Sequence, residues 1–469
     1  MFFDEMAKYK EKIMLTDGKG QNFTYSQAKD YADRLDAHLK KRSLILCLCK
    51  NSIGSIAGYL AFLHLRLVPL LLDEKIDSAF LTQLLKSYNP RYLYVPKERR
   101  GDFGEARLIT EEMGYCLLET TFSQEENLYE NLALLLTTSG STGSPKLVRQ
   151  SYRNLESNAQ SIVEYLNIDE KQRAITVLPM NYTYGLSVIN SHVKAGATIV
   201  VTQESVVSPG FWELMQQEKV TSLVGVPFIY ETLKKLRFFK MQLPYLQYMT
   251  QAGGKLSLEL QKEFTEYALE TGKKFIVMYG QTEATARMSY LPFENAVEKY
   301  GSVGIAIPGG RFSLIDLDGR EITSADTVGE LVYEGENVTL GYALCRADLS
   351  KGDERKGRLV TGDMAKRDKD GYYYIVGRKK RFLKIMGNRV NLDEVEQILK
   401  AKFSQVDIAA TGSDEHLLIY VTNKEAIHDV EAYLQEKTHL NSHTNEIRYI
   451  EKIPRNESGK ILYKELDSE

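Results

Sequence analysis

Two textures of apolar and polar positions alternate along most of the chain. Short unbroken apolar runs at 44–49, 68–72, 174–178, 198–202, 222–226 and 275–279 read as buried strands. Between them lie stretches with helical spacing, such as 24–41, where Tyr31, Leu35 and Leu39 recur every four residues, and 53–65. Alternation of this kind predicts parallel sheets covered by helices. After about Gly301 the pattern changes to short alternating strands at 311–315, 330–333 and 372–376, with hairpin turns at Asp318-Gly319 and Asp370-Gly371. A basic run from Gly377 to Gly387 then leads into a small α+β segment: helix 392–401, strand 417–421, helix 426–437, strand 446–451. These breaks divide the chain into 1–379 and 380–469, with the boundary near Lys380.

Composition narrows the class. The 469 residues exceed one ordinary core and predict two or three packed units, at roughly 100–200 residues per domain. Hydrophobic residues make up 43% and charged residues 26%, the mix of a globular chain, and a net charge of −3 gives no field to favour nucleic acid. The four cysteines (Cys47, Cys49, Cys116, Cys345) show no metal-ligand spacing and suit a reducing compartment. No signal pattern opens the chain, and the longest apolar region, 60–72, is interrupted by His64, Arg66 and Pro69, so no membrane span and a cytoplasmic location are expected.

The chemistry concentrates in four runs. An apolar strand feeds Thr138, Ser139, Gly140, Ser141, Thr142 and Gly143, followed by Ser144, Pro145 and Lys146. Glycines let phosphate approach the backbone, hydroxyls donate to phosphate oxygens, and Lys146 adds a compact cation. The spacing is not that of the NTPase P-loop. A second run, Tyr279, Gly280, Gln281, Thr282 and Glu283, follows the 275–279 strand and is expected on a strand-to-helix loop, where open α/β sheets bind ligands. A plain helix start, with Thr282 as cap and Glu283 in the first turn, is also compatible with the run but does not explain Tyr279-Gly280-Gln281. The third run joins Thr361-Gly362-Asp363 to Gly377-Arg378, and the fourth is Pro454-Arg455 followed by Gly459-Lys460.

In this order and spacing the runs resemble the acyl-adenylate-forming superfamily of acyl-CoA synthetases, peptide-synthetase adenylation domains and beetle luciferases. Leu147 stands where that family's loop ends in glycine. The resemblance implies a large N-terminal α/β domain with a distorted β-barrel and a small mobile α+β C-terminal domain. It also implies ATP, Mg²⁺ and a carboxylic acid as reactants. The 138–146 loop and Thr282 would then hold phosphate, Tyr279 with Gly280 and Gln281 the adenine side, and Glu283 the Mg²⁺. Gly253 and Gly254 would approach the nucleotide, Asp363 the ribose hydroxyls, and Arg378 the ribose or phosphate. Lys460 would be the mobile catalytic lysine, Lys380 the hinge, and Gly387 part of a thiol tunnel. The basic turn around 379–381 is expected to be solvated.

The acyl pocket is expected around Tyr182, Tyr184 and Gly185, with Pro227, Tyr230, Lys255 and Arg287 as further contacts. No acidic residue lies between 174 and 203, which leaves an α-ammonium without a counter-charge and favours an aliphatic or aromatic acid lacking an amino group. No carrier-like segment follows Lys460, so a stand-alone ligase is expected. Coenzyme A is the favoured acceptor. The alternatives are a ligase that loads the phosphopantetheine of a separate acyl carrier protein, and a catalytically silent nucleotide-binding regulator.

Overall fold

The computed structural model describes residues 6–122, 127–137, 146–316, 318–385, 388–438, 444–455 and 461–466. By its internal contacts the chain forms two compact units. The first comprises Met1–Tyr300, Gly304–Arg311 and Tyr333–Leu359, and the second Gly301–Val303, Phe312–Val332 and Val360–Glu469.

Two mixed sheets of nine and eight strands build the first unit. In the larger, Ile13–Thr16, Arg173–Ile175, Thr198–Val200, Ser222–Gly225, Tyr248–Gln251 and Lys274–Tyr279 run parallel. In the other, Leu44–Cys49, Val68–Asp73, Tyr92–Pro96 and Leu132–Thr137 are parallel, flanked by antiparallel strands. The apolar run Leu44–Cys49 is buried along its whole length, as a central parallel strand covered on both faces must be. One core joins side chains from both sheets to the helices Tyr25–Asp36, Ile53–His64, Tyr152–Leu166 and Thr183–Lys194. These helices therefore form a layer between the sheets. Ile53–His64 is apolar almost all round and buried to match. Two of the four helices start on capping boxes, Thr24 with Gln27 and Ser151 with Asn154, which satisfy their first free N–H groups.

The second unit holds most of a four-stranded sheet (Gly310–Ile315, Gly329–Gly335, Arg358–Arg367, Tyr373–Arg378) and the C-terminal α+β segment. Gly319 and Gly371 take left-handed φ of 81° and 90° in the expected Asp-Gly turns. In the C-terminal segment, Leu392–Lys402 and Ile427–Thr438 pack on a sheet of Ile408–Ser413, His416–Val421 and Asn445–Tyr449 around its own core. Among the described residues no helix is long and apolar enough to cross a membrane.

Candidate functional site

The strand Lys274–Tyr279 delivers the second chemical run to the carboxyl edge of the parallel sheet, where ligands bind in such folds. The expected helix does not follow. Thr282–Ala284 is a single 3₁₀ turn, and Thr285 takes φ 66° and ψ −56°. The Ala286 N–H donates to the Ala284 carbonyl at 2.7 Å, which closes a γ-turn of the rare strained hand. The chain thereby doubles back, and Ser289–Tyr290 pairs antiparallel with Met278 and Tyr279. A Cβ on residue 280 would lie 1.8 Å from the Ala286 carbonyl oxygen, so only glycine fits there. Three polar side chains hold the turn. Thr285 Oγ1 donates to the Asn337 carbonyl (2.7 Å), the Thr183 hydroxyl donates to the Thr285 carbonyl, and Asn337 Nδ2 donates to the carbonyls of Ala284 (3.0 Å) and Arg287 (3.1 Å).

Glu283 is thus fixed at its backbone before its carboxylate does anything. Its carbonyl accepts from Thr339 N (3.0 Å), Thr339 Oγ1 (2.9 Å) and Arg355 Nη1 (3.2 Å), and its Oε1 accepts from the Tyr342 hydroxyl at 2.7 Å. Burial and the Glu283 carboxylate together push the Tyr342 phenol upward, so it stays a donor. Lys146 Nζ lies 3.5 Å from the centre of the Tyr342 ring and the Arg355 guanidinium 4.5 Å from it. Tyr342 belongs to the edge strand Gly341–Ala343, which pairs with Leu147–Ser151 directly after Lys146. The buried Arg149 locks that pairing by donating from Nε to the Tyr342 carbonyl at 3.0 Å and by an ion pair with Glu354.

Two cations and one half-buried carboxylate therefore converge on one tyrosine. Tyr342, Arg355, Thr339 and Asn337 were not singled out in the sequence. The signal there was weak, a run of alternating polar residues leading to Gly341-Tyr342. Among the described residues no group of three or more His, Cys, Asp or Glu side chains could hold a metal alone. A lone hard carboxylate fits a Mg²⁺ ion that arrives with a triphosphate supplying its other oxygens.

The pocket residues divide by role. Tyr182 is partly buried, and its hydroxyl lies 2.6 Å from where a Cβ on Gly253 (φ 84°) would sit, so the first residue of the glycine pair and Tyr182 are neighbours. Burial pushes the Tyr182 phenol up to about 12. Tyr184 stands edge-on to Tyr182, with ring centres 6.5 Å apart. The hydroxyls of Tyr184 and Tyr230 both donate to the Thr250 carbonyl, at 2.9 and 2.7 Å, which ties these two rings to the core. Gly185 approaches the Pro179 carbonyl too closely for a side chain, Pro227 packs beside Gly254, and Lys255 is exposed.

In the second unit Asp363 and Arg378 face each other across antiparallel strands, with Nε and Oδ1 3.5 Å apart, Asp363 buried and Arg378 exposed. The basic turn is not solvated throughout. Lys379 pairs with Glu330 (2.7 Å), whereas Arg381 is only 13% exposed and pairs with Asp393 (2.5 Å) and Glu396 (2.6 Å) against the Tyr463 ring. Burial of the guanidinium follows from its two carboxylate partners on the Leu392–Lys402 helix. Thr138, Ser139, Gly140, Ser141, Thr142, Gly143, Gly387 and Lys460 lie outside the described residues, as does the side chain of Lys380.

Known proteins resemble this chain in sequence and in fold. The chain is 28% identical over 362 residues to the long-chain-fatty-acid–CoA ligase of Salmonella typhimurium, covering 74% of this chain but only 63% of that ligase. It is 25% identical to the 2-succinylbenzoate–CoA ligase of Geobacillus sp. over 97% of this chain and 94% of that protein. In fold it is similar to the Bacillus subtilis O-succinylbenzoate coenzyme A synthetase in complex with ATP and magnesium ion, with a TM-score of 0.82, 23% identity, and coverage of 99% of each chain. The model of the AMP-binding enzyme family matches residues 2–343, and the chain belongs to that family.

Proposed function

We propose that this protein is an AMP-forming acid–thiol ligase. It joins a carboxylic acid to ATP, releasing pyrophosphate, and passes the acyl group from the resulting acyl-AMP to coenzyme A. The observation that carries the reading is the meeting of Glu283, Lys146 and Arg355 on Tyr342. A carboxylate attacking the α-phosphorus of ATP brings an anion against a polyanion, and two unit charges about 4 Å apart repel by about 4 kcal/mol at an effective dielectric near 20. Lys146 and Arg355 offset that repulsion, and Glu283, oriented by Tyr342, would hold a Mg²⁺ ion, which would supply further positive charge at the phosphates. The substrate oxygen bonds to the α-phosphorus as the bond to the β-phosphate oxygen breaks. No protein nucleophile is needed, since positioning and electrostatics carry the step.

Thr138–Gly143 and Thr282 hold the phosphates, Tyr279 to Gln281 with Gly253 and Gly254 the adenine side, and Asp363 with Arg378 the ribose. Lys460 assists adenylation and then withdraws as residues 380–469 rotate about Lys380. The thiol sulfur then attacks the acyl carbonyl beside Gly387, loses its proton, and expels AMP. Side-chain allegiance supports a hinge at Lys380, because Lys379 pairs with Glu330 of the four-stranded sheet and Arg381 with the Leu392–Lys402 helix. The acid lacks an amino group. A cytoplasmic location fits the cysteines, which are free thiols with Cys47, Cys49 and Cys116 buried.

The test is pyrophosphate release over a panel of carboxylic acids, with and without coenzyme A. Acid-dependent release with a coenzyme A thioester as product is expected. Lys460→Ala should lose release yet still convert supplied acyl-AMP to thioester. Turnover only with a holo-carrier protein would reassign the acceptor, and silence across the panel with ATP still bound would overturn the enzyme reading.

A further inference from the structure

Arg287 is the most unusual charge in the first unit. It is only 3% exposed, yet none of its contacts among the described residues is a carboxylate. Nε donates to Ser187 Oγ (3.2 Å), Nη1 donates to the Tyr165 hydroxyl (3.0 Å) and lies 3.3 Å from Met278 Sδ, and the guanidinium sits 5.0 Å from the Tyr184 ring centre. Nη2 makes no hydrogen bond to any described residue. The position is not slack. The Arg287 carbonyl is held by Asn158 Nδ2 (3.0 Å) and Asn337 Nδ2 (3.1 Å), so the same asparagine that fixes the turn after Glu283 also holds the backbone from which this side chain springs.

A buried cation without an anion is costly, and neutral hydroxyls and a thioether offset only part of that cost. The surroundings say what could supply the rest. Tyr184 and Met278 belong to an apolar cluster with Val224, Val226 and Ala252, and Tyr182 packs on its edge beside Gly253. The cluster therefore runs from the glycine pair at one end to Arg287 at the other.

Building on the ligase reading, we propose that Arg287 is the counter-charge for a second acidic group on the acid substrate. The preferred substrates are then dicarboxylic acids, one carboxylate being adenylated near Gly253 while the other meets the guanidinium through the apolar cluster. The planar fork suits a carboxylate, and its spare Nη2 donors are the ones such a group would take.

The experiment compares chain-matched pairs, hexanoate with adipate, octanoate with suberate and benzoate with terephthalate, in wild type, Arg287→Gln and Arg287→Met. The readouts are kcat/KM for pyrophosphate release and the acid-induced shift of Tm in the presence of AMP. Wild type should prefer at least one diacid over its partner by about 50-fold or more, the scale of a buried charge pair. In both variants that ratio should fall towards 1. A wild-type ratio near 1 in every pair, or variants that lose both members of a pair in parallel, would overturn the proposal. If no acid releases pyrophosphate, the ligase reading fails on its own. The Arg287 assignment then stands if diacids raise Tm in wild type and not in Arg287→Gln, and falls if they do not.

Discussion

Tyr342 carries more of the site than any residue its size would suggest. Its hydroxyl orients Glu283 while its ring receives Lys146 and Arg355. Tyr342→Phe separates the two roles, since the ring remains and only the donor is lost. A hydrogen bond to a charged acceptor contributes about 1.5–3 kcal/mol, so kcat/KM for adenylation should fall by roughly 10- to 100-fold with Tm nearly unchanged. Wild-type rates in that variant would show that Glu283 needs no orienting partner. Lys146 and Glu283 were legible in the sequence because hydroxyls, glycine, lysine and a carboxylate in fixed order have few other uses. Tyr342 and Arg355 were not, because a tyrosine after glycine and an arginine in the charged run 353–358 carry no spacing that distinguishes them from packing or solvent.

At the scale of elements, hydrophobic pattern located strands and helices well. The strand expected at 44–49 occupies Leu44–Cys49, and the helix expected at 53–65 occupies Ile53–His64. The pattern failed after Tyr279, where a helix was expected and a γ-turn stands. A left-handed threonine is set by distant partners, Thr183 and Asn337, which local propensity does not contain. The helix Thr183–Lys194 hides a second such feature. His192 is buried, its Nδ1–H donates to the Val188 carbonyl at 2.8 Å, and its Nε2 lies 3.4 Å from the Tyr248 hydroxyl. Burial, with Arg287 nearby, lowers its pKa from 6.5 to about 4. The unfolded chain therefore binds this proton first as pH falls, so the contribution of neutral His192 is fully present above pH 6.5 and is lost between 6.5 and about 4. The loss is on the order of 3 kcal/mol. Denaturant unfolding at pH 7 and pH 4.5 should show a steeper decline for wild type than for His192→Gln. Parallel declines would mean that the imidazole titrates normally.

For the whole molecule, length and texture predict two or three packed units with a boundary near Lys380, and internal contacts divide the chain into two compact units. The second unit takes in part of the four-stranded sheet as well as the C-terminal segment. Close contacts tie the two together: Asn391 Nδ2 donates to the Val376 carbonyl (3.0 Å), and Asp393 accepts from the Arg378 N–H (3.1 Å). A rotation about Lys380 has to break both, so this pair of bonds is the local resistance to the domain exchange proposed above. Pattern cannot reveal such bonds, because they join segments that each look complete. The central claim is that Glu283 and its cations drive transfer of a carboxylate onto the α-phosphate. The most direct measurement is exchange of labelled pyrophosphate into ATP, dependent on added acid, in wild type and Glu283→Gln. Exchange in wild type that falls at least about 100-fold in the folded variant is the result expected. Undiminished exchange in Glu283→Gln would contradict the account.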